Sequence, residues 1–135
     1  MKLIRRAALA AALLMLGMLV AGAVAQTKFP TRLTLKDDRS AAGDLISGAV
    51  RSKAHACERN RKLRLHHRAV TEQTPSTVIA KLRTNSKGKW KFRPKKNENG
   101  DRYATPGYYR AKVGEVKLDG GITCKERTTS SLYIG

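Results

Sequence analysis

The chain has 135 residues, with 28 Lys and Arg against 10 Asp and Glu, a formal net charge of +18 and two cysteines. This length predicts one folded domain with a modest hydrophobic core. Two cysteines exclude a dense disulfide scaffold and a four-cysteine zinc site, and the excess of positive charge excludes an acidic calcium-binding module.

Residues 1–25 have the pattern of a secretory signal peptide. Three basic residues stand near the start, residues 7–24 carry no charge, and Ala23-Val24-Ala25 matches a signal-peptidase cleavage site. The alternative is a retained membrane anchor, because the apolar run just reaches the length that spans a bilayer. The cleavage site favours removal. We therefore expect a secreted, extracellular chain, free or attached to the cell surface, with no transmembrane segment after cleavage.

Cleavage would remove three basic residues and no acidic ones, leaving 25 against 10 and a net charge of +15. The basicity therefore belongs to the part that folds. Within that part we expect residues 26–43 to form an N-terminal strand or a flexible arm, and residues 44–135 to form the domain.

Beyond residue 26, apolar and polar residues alternate, and turn-forming residues interrupt the alternation about every ten residues. This pattern predicts a small all-β sandwich. In chain order the predicted strands are 29–35, 44–53, 62–66, 78–83, 89–93, 109–113 and a last one from about 124 to 134.

The segments between these strands are rich in turn-forming residues. Asn85-Ser86-Lys87-Gly88 predicts a tight hairpin between the fourth and fifth strands, and Asp119-Gly120-Gly121 predicts another turn. We expect the polar residues 95–107 to form an exposed loop. Asp37-Asp38, next to Lys36 and Arg39, are expected in a polar surface turn.

The two cysteines, Cys57 and Cys124, are expected to pair. An exported chain with two cysteines most simply forms one disulfide, which would stabilise the fold by about 4 kcal/mol in the chain-entropy model. The alternatives are a reactive thiol or a metal-binding pair. The long separation in sequence and the oxidising destination favour the structural disulfide.

Several of these segments together resemble secreted bacterial domains of the transthyretin-like group. That group includes the carboxypeptidase regulatory-like domain and the B-type repeats of collagen adhesins. The resemblance covers about residues 44–134 and is carried by Gly48-x-Val50, Cys57, Lys62-x-Arg64-Leu65, Thr84-Asn85-x-x-Gly88-x-Trp90-x-Phe92, Pro106-Gly107-Tyr108-Tyr109-x-Ala111-x-Val113 and Cys124.

The resemblance implies a Greek-key sandwich of seven or eight strands, transthyretin-like or immunoglobulin-like in layout. It also implies a stalk, a spacer, a carbohydrate-binding or surface-binding module, or an accessory domain, rather than one particular activity. The His and Arg/Ser set of true transthyretin-like hydrolases does not map onto this sequence.

The sequence contains no motif that predicts catalysis, a cofactor or a metal. His66 and His67 are neighbours on a predicted strand, so their side chains point to opposite faces; we expect a solvated His66 beside Arg64 and a half-buried His67. A site joining His55, Cys57 and His67 has no supporting spacing. There is no nucleophile elbow and no phosphate-binding glycine loop. We therefore expect a non-enzyme, with a small secreted hydrolase as the less favoured alternative.

The basic residues give the most informative pattern for function. Nearly every polar position of the third to sixth strands is Lys or Arg, and alternation directs these side chains away from the core. We expect a docking surface for an anionic partner: a cell-wall polymer, an acidic polysaccharide or nucleic acid. The candidate residues are Arg64, Lys81, Arg83, Lys89, Lys91, Arg93, Arg110 and Lys112.

Two alternatives stay open at this stage. The charge can be a solvated surface that only keeps the protein soluble, in which case the module is structural or binds an unknown protein partner. The sequence also leaves open whether the basic residues form one patch, because the two sheets of a sandwich face opposite ways. Tyr103 and Tyr108 are candidates for stacking on sugars or bases, although packing at a turn is the simpler expectation.

Overall fold

The computed structural model describes residues 26–71 and 74–135, so the predicted signal peptide lies outside the described residues. Within these ranges the chain forms twelve strands and one short 3₁₀ helix, His55–Cys57. No helix in this part of the chain is long and apolar enough to cross a membrane. The strands are β1 Thr27–Phe29, β2 Arg32–Leu33, β3 Lys36–Ser40, β4 Gly43–Arg51, β5 Lys62–Arg68, β6 Thr77–Arg83, β7 Lys89–Phe92, β8 Gly107–Val113, β9 Val116–Leu118, β10 Ile122–Cys124, β11 Arg127–Thr128 and β12 Leu132–Ile134.

The strands form three sheets. The large sheet has the order β11-β8-β5-β6, and β12 continues beside β11 along the same edge of β8. The second sheet is built on β4, with β2 and β3 pairing along it and β7 also paired to it. A three-stranded ribbon has the order β1-β10-β9.

The hydrophobic core lies between the large sheet and the second sheet. Ile46, Val50 and Trp90 come from the second sheet, and Leu65 and Tyr109 from the large sheet, all in one buried cluster. Each of these residues is flanked along its strand by more exposed residues, as the two-residue period of a strand requires. This sandwich confirms the all-β fold class.

The number of strands differs from the expected seven or eight. The predicted strand 29–35 is interrupted at Pro30, which has no N–H to donate to a ladder, and continues only as the short β2. The predicted last strand is divided into β10, β11 and β12. Two further strands, β3 and β9, were not expected from the pattern of hydrophobic residues.

The prediction of a polar turn at Asp37-Asp38 is wrong. Both residues lie in β3, which pairs antiparallel with β4 through Asp37 opposite Ile46 and Asp38 opposite Leu45. Lys36 and Arg39 lie within 3.7 Å of these carboxylates, which offsets the charge on the strand. A charged strand of this kind at a sheet edge has no hydrophobic period, which is why the sequence pattern did not reveal it.

The turn at residues 85–88 forms as predicted, but it does not close a hairpin between paired strands. Gly88 has a positive φ of 75° and its N–H donates to the carbonyl of Asn85 at 3.0 Å. However, β6 pairs with β5 in the large sheet, whereas β7 pairs with β4 in the second sheet. The turn therefore carries the chain from one sheet to the other.

The predicted disulfide is present. Cys57 and Cys124 are bonded, fully buried and separated by 67 residues, so the bond ties the 3₁₀ helix to the ribbon strand β10. Beside it the buried Arg61 donates to the carbonyls of Cys57 at 2.8 Å and Gly114 at 2.7 Å, and burial lowers the pKa of its guanidinium. Together these bonds fix the ribbon against the large sheet.

Candidate functional site

The outer face of the large sheet carries an array of cations. In the strand register Lys62 lies opposite Arg83, and Arg64 lies opposite both Lys81 and Lys112. Directly opposite residues project from the same face of a sheet. We call this surface the basic face and define it by Lys62, Arg64, Arg68, Lys81, Arg83, Arg110 and Lys112, all of them exposed.

The basic face has no local charge compensation among residues 26–71 and 74–135. No ion pair within this part of the chain involves any of its seven cations. Two of them instead donate to neutral oxygens: Arg83 to the side chain of Asn60 at 3.0 Å and Arg110 to the hydroxyl of Ser131 at 2.9 Å. Like charges directly opposite each other repel, so this surface attracts counter-ions.

A groove of about 1380 Å³ runs between the basic face and the ribbon. We call it the basic groove. Five members of the basic face line its sheet wall, with Arg59 beside them, and Glu115, Val116, Leu118 and Asp119 line its ribbon wall. The five are Lys62, Arg64, Lys81, Arg83 and Lys112.

A second cavity, of about 450 Å³, lies on the same face beyond the basic groove and shares Lys112 with it. We call it the tyrosine cup. Tyr108 lines it and packs against Tyr133, with 5.3 Å between the ring centroids. The guanidinium of Arg68 lies 4.9 Å from the centre of the Tyr108 ring, within the range of a cation–π contact.

The structure brings together five of the eight predicted binding residues: Arg64, Lys81, Arg83, Arg110 and Lys112. The other three, Lys89, Lys91 and Arg93, lie in or directly after β7 of the second sheet. There Trp90 is only 3% exposed in the core, so its neighbours Lys89 and Lys91 point outward on the opposite side of the sandwich. The eight predicted residues therefore lie on two separate surfaces, because β7 pairs with β4 and not with β6.

The histidines point as alternation predicted. His66 lies opposite Arg110 on the outer face, and His67 lies opposite the buried Tyr109. His67 is half-buried, with its ring 4.9 Å from that of Tyr109 and its Nε2 3.0 Å from the carbonyl oxygen of Pro106. His66 is not solvated as expected: its Nε2 is buried and finds no hydrogen-bond partner in the described part of the chain.

The remaining histidine, His55, is mostly exposed and lies 2.7 Å from the carboxylate of Glu58 within the same turn. Cys57 forms the disulfide with Cys124, so its sulfur is not available to ligate a metal together with His55. No cluster of three or more His, Cys, Asp or Glu side chains with metal-binding geometry occurs in residues 26–71 and 74–135.

The loop that connects β7 and β8 is anchored at its C-terminal part. Asp44 accepts a hydrogen bond from the N–H of Ala104 at 2.7 Å, and the hydroxyl of Tyr109 donates to the carbonyl of Thr105. Burial, and then the charge of Asp44, raise the pKa of Tyr109 to about 12. Tyr109 is therefore the tyrosine that packs at the turn, while Tyr103 is 63% exposed and Tyr108 belongs to the tyrosine cup.

Sequence reasoning missed two parts of the site. Tyr133 alternates with Leu132 and the buried Ile134, so its outward direction was readable from the sequence. The ribbon wall was harder to find, because β9 has only three residues and its Val116 and Leu118 flank a single lysine. The Asp119–Gly121 turn that follows was the one available signal.

The chain matches no protein-family model, no curated protein and no solved structure. The resemblance to transthyretin-like domains therefore stays a prediction, and function has to be inferred from the geometry and charge of the basic face.

Proposed function

We propose that this protein is a secreted, non-catalytic β-sandwich module that binds an anionic polymer through its basic face. One observation carries the proposal: Arg64 lies opposite Lys81 on one side and Lys112 on the other, and none of the three has an acidic partner in the described part of the chain. Such an arrangement opposes folding. An anionic ligand would offset that repulsion, because it places negative charge where the protein itself does not.

The chemistry of the basic face supports binding rather than catalysis. Its cations are joined there by one histidine, His66, which lies opposite Arg110. General acid–base catalysis uses groups of matched pKa held within reach of each other. A row of lysines and arginines instead supplies the charge that neutralises a polyanion and releases its counter-ions. The buried Cys57–Cys124 disulfide agrees with an oxidising, extracellular location.

A salt titration on isolated cell walls tests this function. The purified protein is bound to walls that carry their anionic polymers and to walls from which the polymers have been removed. A basic protein of equal size and charge serves as the control. We expect tighter retention than the control on intact walls and steep release as salt rises from about 0.1 M to 0.5 M. Retention equal to that of the control, or unchanged by salt, would contradict the proposal.

A protein-binding module is a second candidate, favoured by a different surface. Strand β6 ends the large sheet, so its outer edge pairs with no other strand in the described part of the chain, and Val78 and Ile79 are 43% and 39% exposed there. An extended segment of a partner can add to such an edge. In that case cell walls without their anionic polymers would still retain the protein, whereas walls treated with protease would not. The variant V78K/I79K would bind the walls less tightly than the wild-type protein.

A further inference from the structure

The charges of the basic groove are segregated between its two walls. The sheet wall carries the cations described above, including Arg64 and Lys112, whereas the ribbon wall carries Glu115 and Asp119. Between these two acids lie the half-buried aliphatic side chains of Val116 and Leu118. No ion pair in residues 26–71 and 74–135 joins the two walls. A ligand in the groove therefore meets cations on one side and carboxylates with aliphatic groups on the other.

This segregation selects among polyanions. A nucleic-acid duplex carries negative charge around its whole circumference, about one charge per 1.7 Å of its axis. In the groove it would bring phosphates against Glu115 and Asp119, and that repulsion discriminates against it. The groove suits a thin single chain whose anionic groups reach the sheet wall while its uncharged groups meet the ribbon wall.

The side chains that line the groove discriminate further. Proteins that bind single-stranded nucleic acids stack successive bases on aromatic side chains. Among residues 26–71 and 74–135, no aromatic side chain lines the basic groove, and Tyr108, which packs on Tyr133, lines the tyrosine cup instead. A sugar chain needs no row of aromatic rings, because its hydroxyls donate to carboxylates such as Glu115 and Asp119 and its C–H groups pack on Val116 and Leu118.

We propose, building on the function proposed above, that the basic groove binds a single chain of an acidic linear polysaccharide. The anionic groups of the chain face the sheet wall, and its hydroxyls and C–H faces meet the ribbon wall. The groove volume of about 1380 Å³ exceeds the roughly 300–1,000 Å³ of small-molecule pockets, so it holds several sugar units. Because Lys112 borders both cavities, the chain continues into the tyrosine cup, where Arg68 and Tyr108 line the wall against a further sugar.

The proposal is tested with three anionic probes of equal total charge: an oligomer of polygalacturonate, single-stranded DNA and duplex DNA. Binding of each labelled probe to the purified protein is followed by fluorescence anisotropy at about 0.15 M salt. We expect the galacturonate oligomer to bind at least about tenfold more tightly than either DNA, which is the range that a few lost or repulsive contacts produce.

Variants of the ribbon wall separate this proposal from the simpler role of bulk charge. E115K/D119K should raise the affinity for duplex DNA and lower the preference for the galacturonate oligomer. E98K/D101K makes the same change of charge in the loop between β7 and β8, outside the residues that line the groove, and should leave the ranking of the probes unchanged. E115Q/D119N, which keeps the size of the side chains, repeats the test if the lysine variant is unstable.

The outcomes are distinguishable. If the galacturonate oligomer binds most tightly and only the ribbon-wall variants change the ranking, the proposal is supported. If either DNA binds as tightly as the oligomer, or E98K/D101K acts like E115K/D119K, the polysaccharide assignment is overturned while the binding of polyanions stands. If no probe binds more tightly to this protein than to a matched basic control, the proposed function itself fails.

Discussion

Arg64 and Lys81 lie directly opposite each other on the adjacent strands β5 and β6, and both point away from the core. Lys112 continues the row on the other side of Arg64. Neighbouring strands are about 4.8 Å apart, so three positive charges cross three strands with no carboxylate between them. Water and salt screen this repulsion only in part. The large sheet therefore carries a surface whose charge pattern opposes folding, and the proposed anionic ligand would offset that repulsion.

Removing the central cation should stabilise the protein in the absence of ligand. We expect R64Q to raise the free energy of unfolding by about 0.4–2 kcal/mol at low salt, because it removes two repulsive cross-strand pairs of about 0.2–1 kcal/mol each. The gain should shrink as salt screens the repulsion. Urea unfolding at low and high ionic strength measures it. K91Q is the matched control, because Lys91 lies opposite the uncharged Ser47. An equal gain in both variants would mean that net charge, and not the cross-strand row, is responsible.

Position 48 requires glycine, because Thr34 and Trp90 approach it so closely that no side chain fits. A Cβ at this position would lie 2.7 Å from Cζ2 of Trp90 and closer still to the carbonyl oxygen of Thr34. The Thr34 backbone and the buried Trp90 indole can shift only at a high energetic cost. We therefore expect G48A to lower the free energy of unfolding by about 3 kcal/mol or more. Thermal and urea denaturation measure the loss.

Gly114 provides the control for that substitution. A Cβ at this position would meet no atom of residues 26–71 and 74–135 within 4 Å. G114A should therefore change the free energy of unfolding by no more than about 0.5 kcal/mol. A comparable loss in G48A and G114A would contradict the packing of Trp90 and Thr34 against Gly48.

The ionisation of Tyr109 should make stability fall at high pH. Folding raises the pKa of this tyrosine from 10.0 to about 12, by burial first and by the charge of Asp44 second. The folded protein therefore keeps a proton that the unfolded chain has already released between these values. The stability that Tyr109 contributes is complete below pH 10 and is lost as pH rises through 12, by about 2–3 kcal/mol.

The variant Y109F isolates this contribution, because lysines also titrate in the same range. At pH 8 the wild-type protein should be more stable than Y109F by about 1 kcal/mol, the value of one hydrogen bond to Thr105. Above pH 11 the order should reverse. Guanidinium unfolding across this range, with ultraviolet titration of tyrosinate, gives both quantities. A difference between the two proteins that stays constant with pH would show that Tyr109 titrates normally.

The disulfide should account for a large share of the total stability. Cys57 and Cys124 close a loop of 67 residues, for which the chain-entropy model gives about 4 kcal/mol. We expect C57A/C124A to lose this amount in urea unfolding and to hold the ribbon less firmly against the large sheet. Hydrogen exchange at β9 and β10 measures the second effect. Unchanged protection in the ribbon would mean that Arg61, with its bonds to Cys57 and Gly114, suffices to fix it.

The sequence predicted the fold class because the core strands have a clear two-residue period. β5 and β8 alternate buried and exposed residues over most of their length, so their outward cations were identified without a structure. The edge strand β3 was not predicted because four of its five residues are charged and show no hydrophobic period. The short strand β9 was not predicted, because a two-residue period cannot be recognised in only three residues.

The division of the basic residues between two sheets was not predictable from alternation. Alternation shows that Lys81 and Lys91 both point outward, but not which sheet each strand joins. That depends on the pairing of β7 with β4, where Trp90 lies opposite Gly48, whose lack of a side chain leaves room for the indole. The sequence around Lys89 and Lys91 contains no local pattern that predicts this long-range packing.

If the basic face, and not the total charge, binds the polymer, removing charge from opposite sides of the sandwich should have different effects. R64Q/K112Q and K89Q/K91Q remove the same charge from opposite sides of the sandwich, which makes them a matched pair. Affinity for the galacturonate oligomer and for single-stranded DNA is measured across a series of salt concentrations. We expect R64Q/K112Q to weaken binding by about tenfold or more and to reduce the slope of log affinity against log salt by about 1 to 2, while K89Q/K91Q keeps the wild-type slope. Equal losses in the two variants would contradict the claim and leave only non-specific attraction to a basic protein.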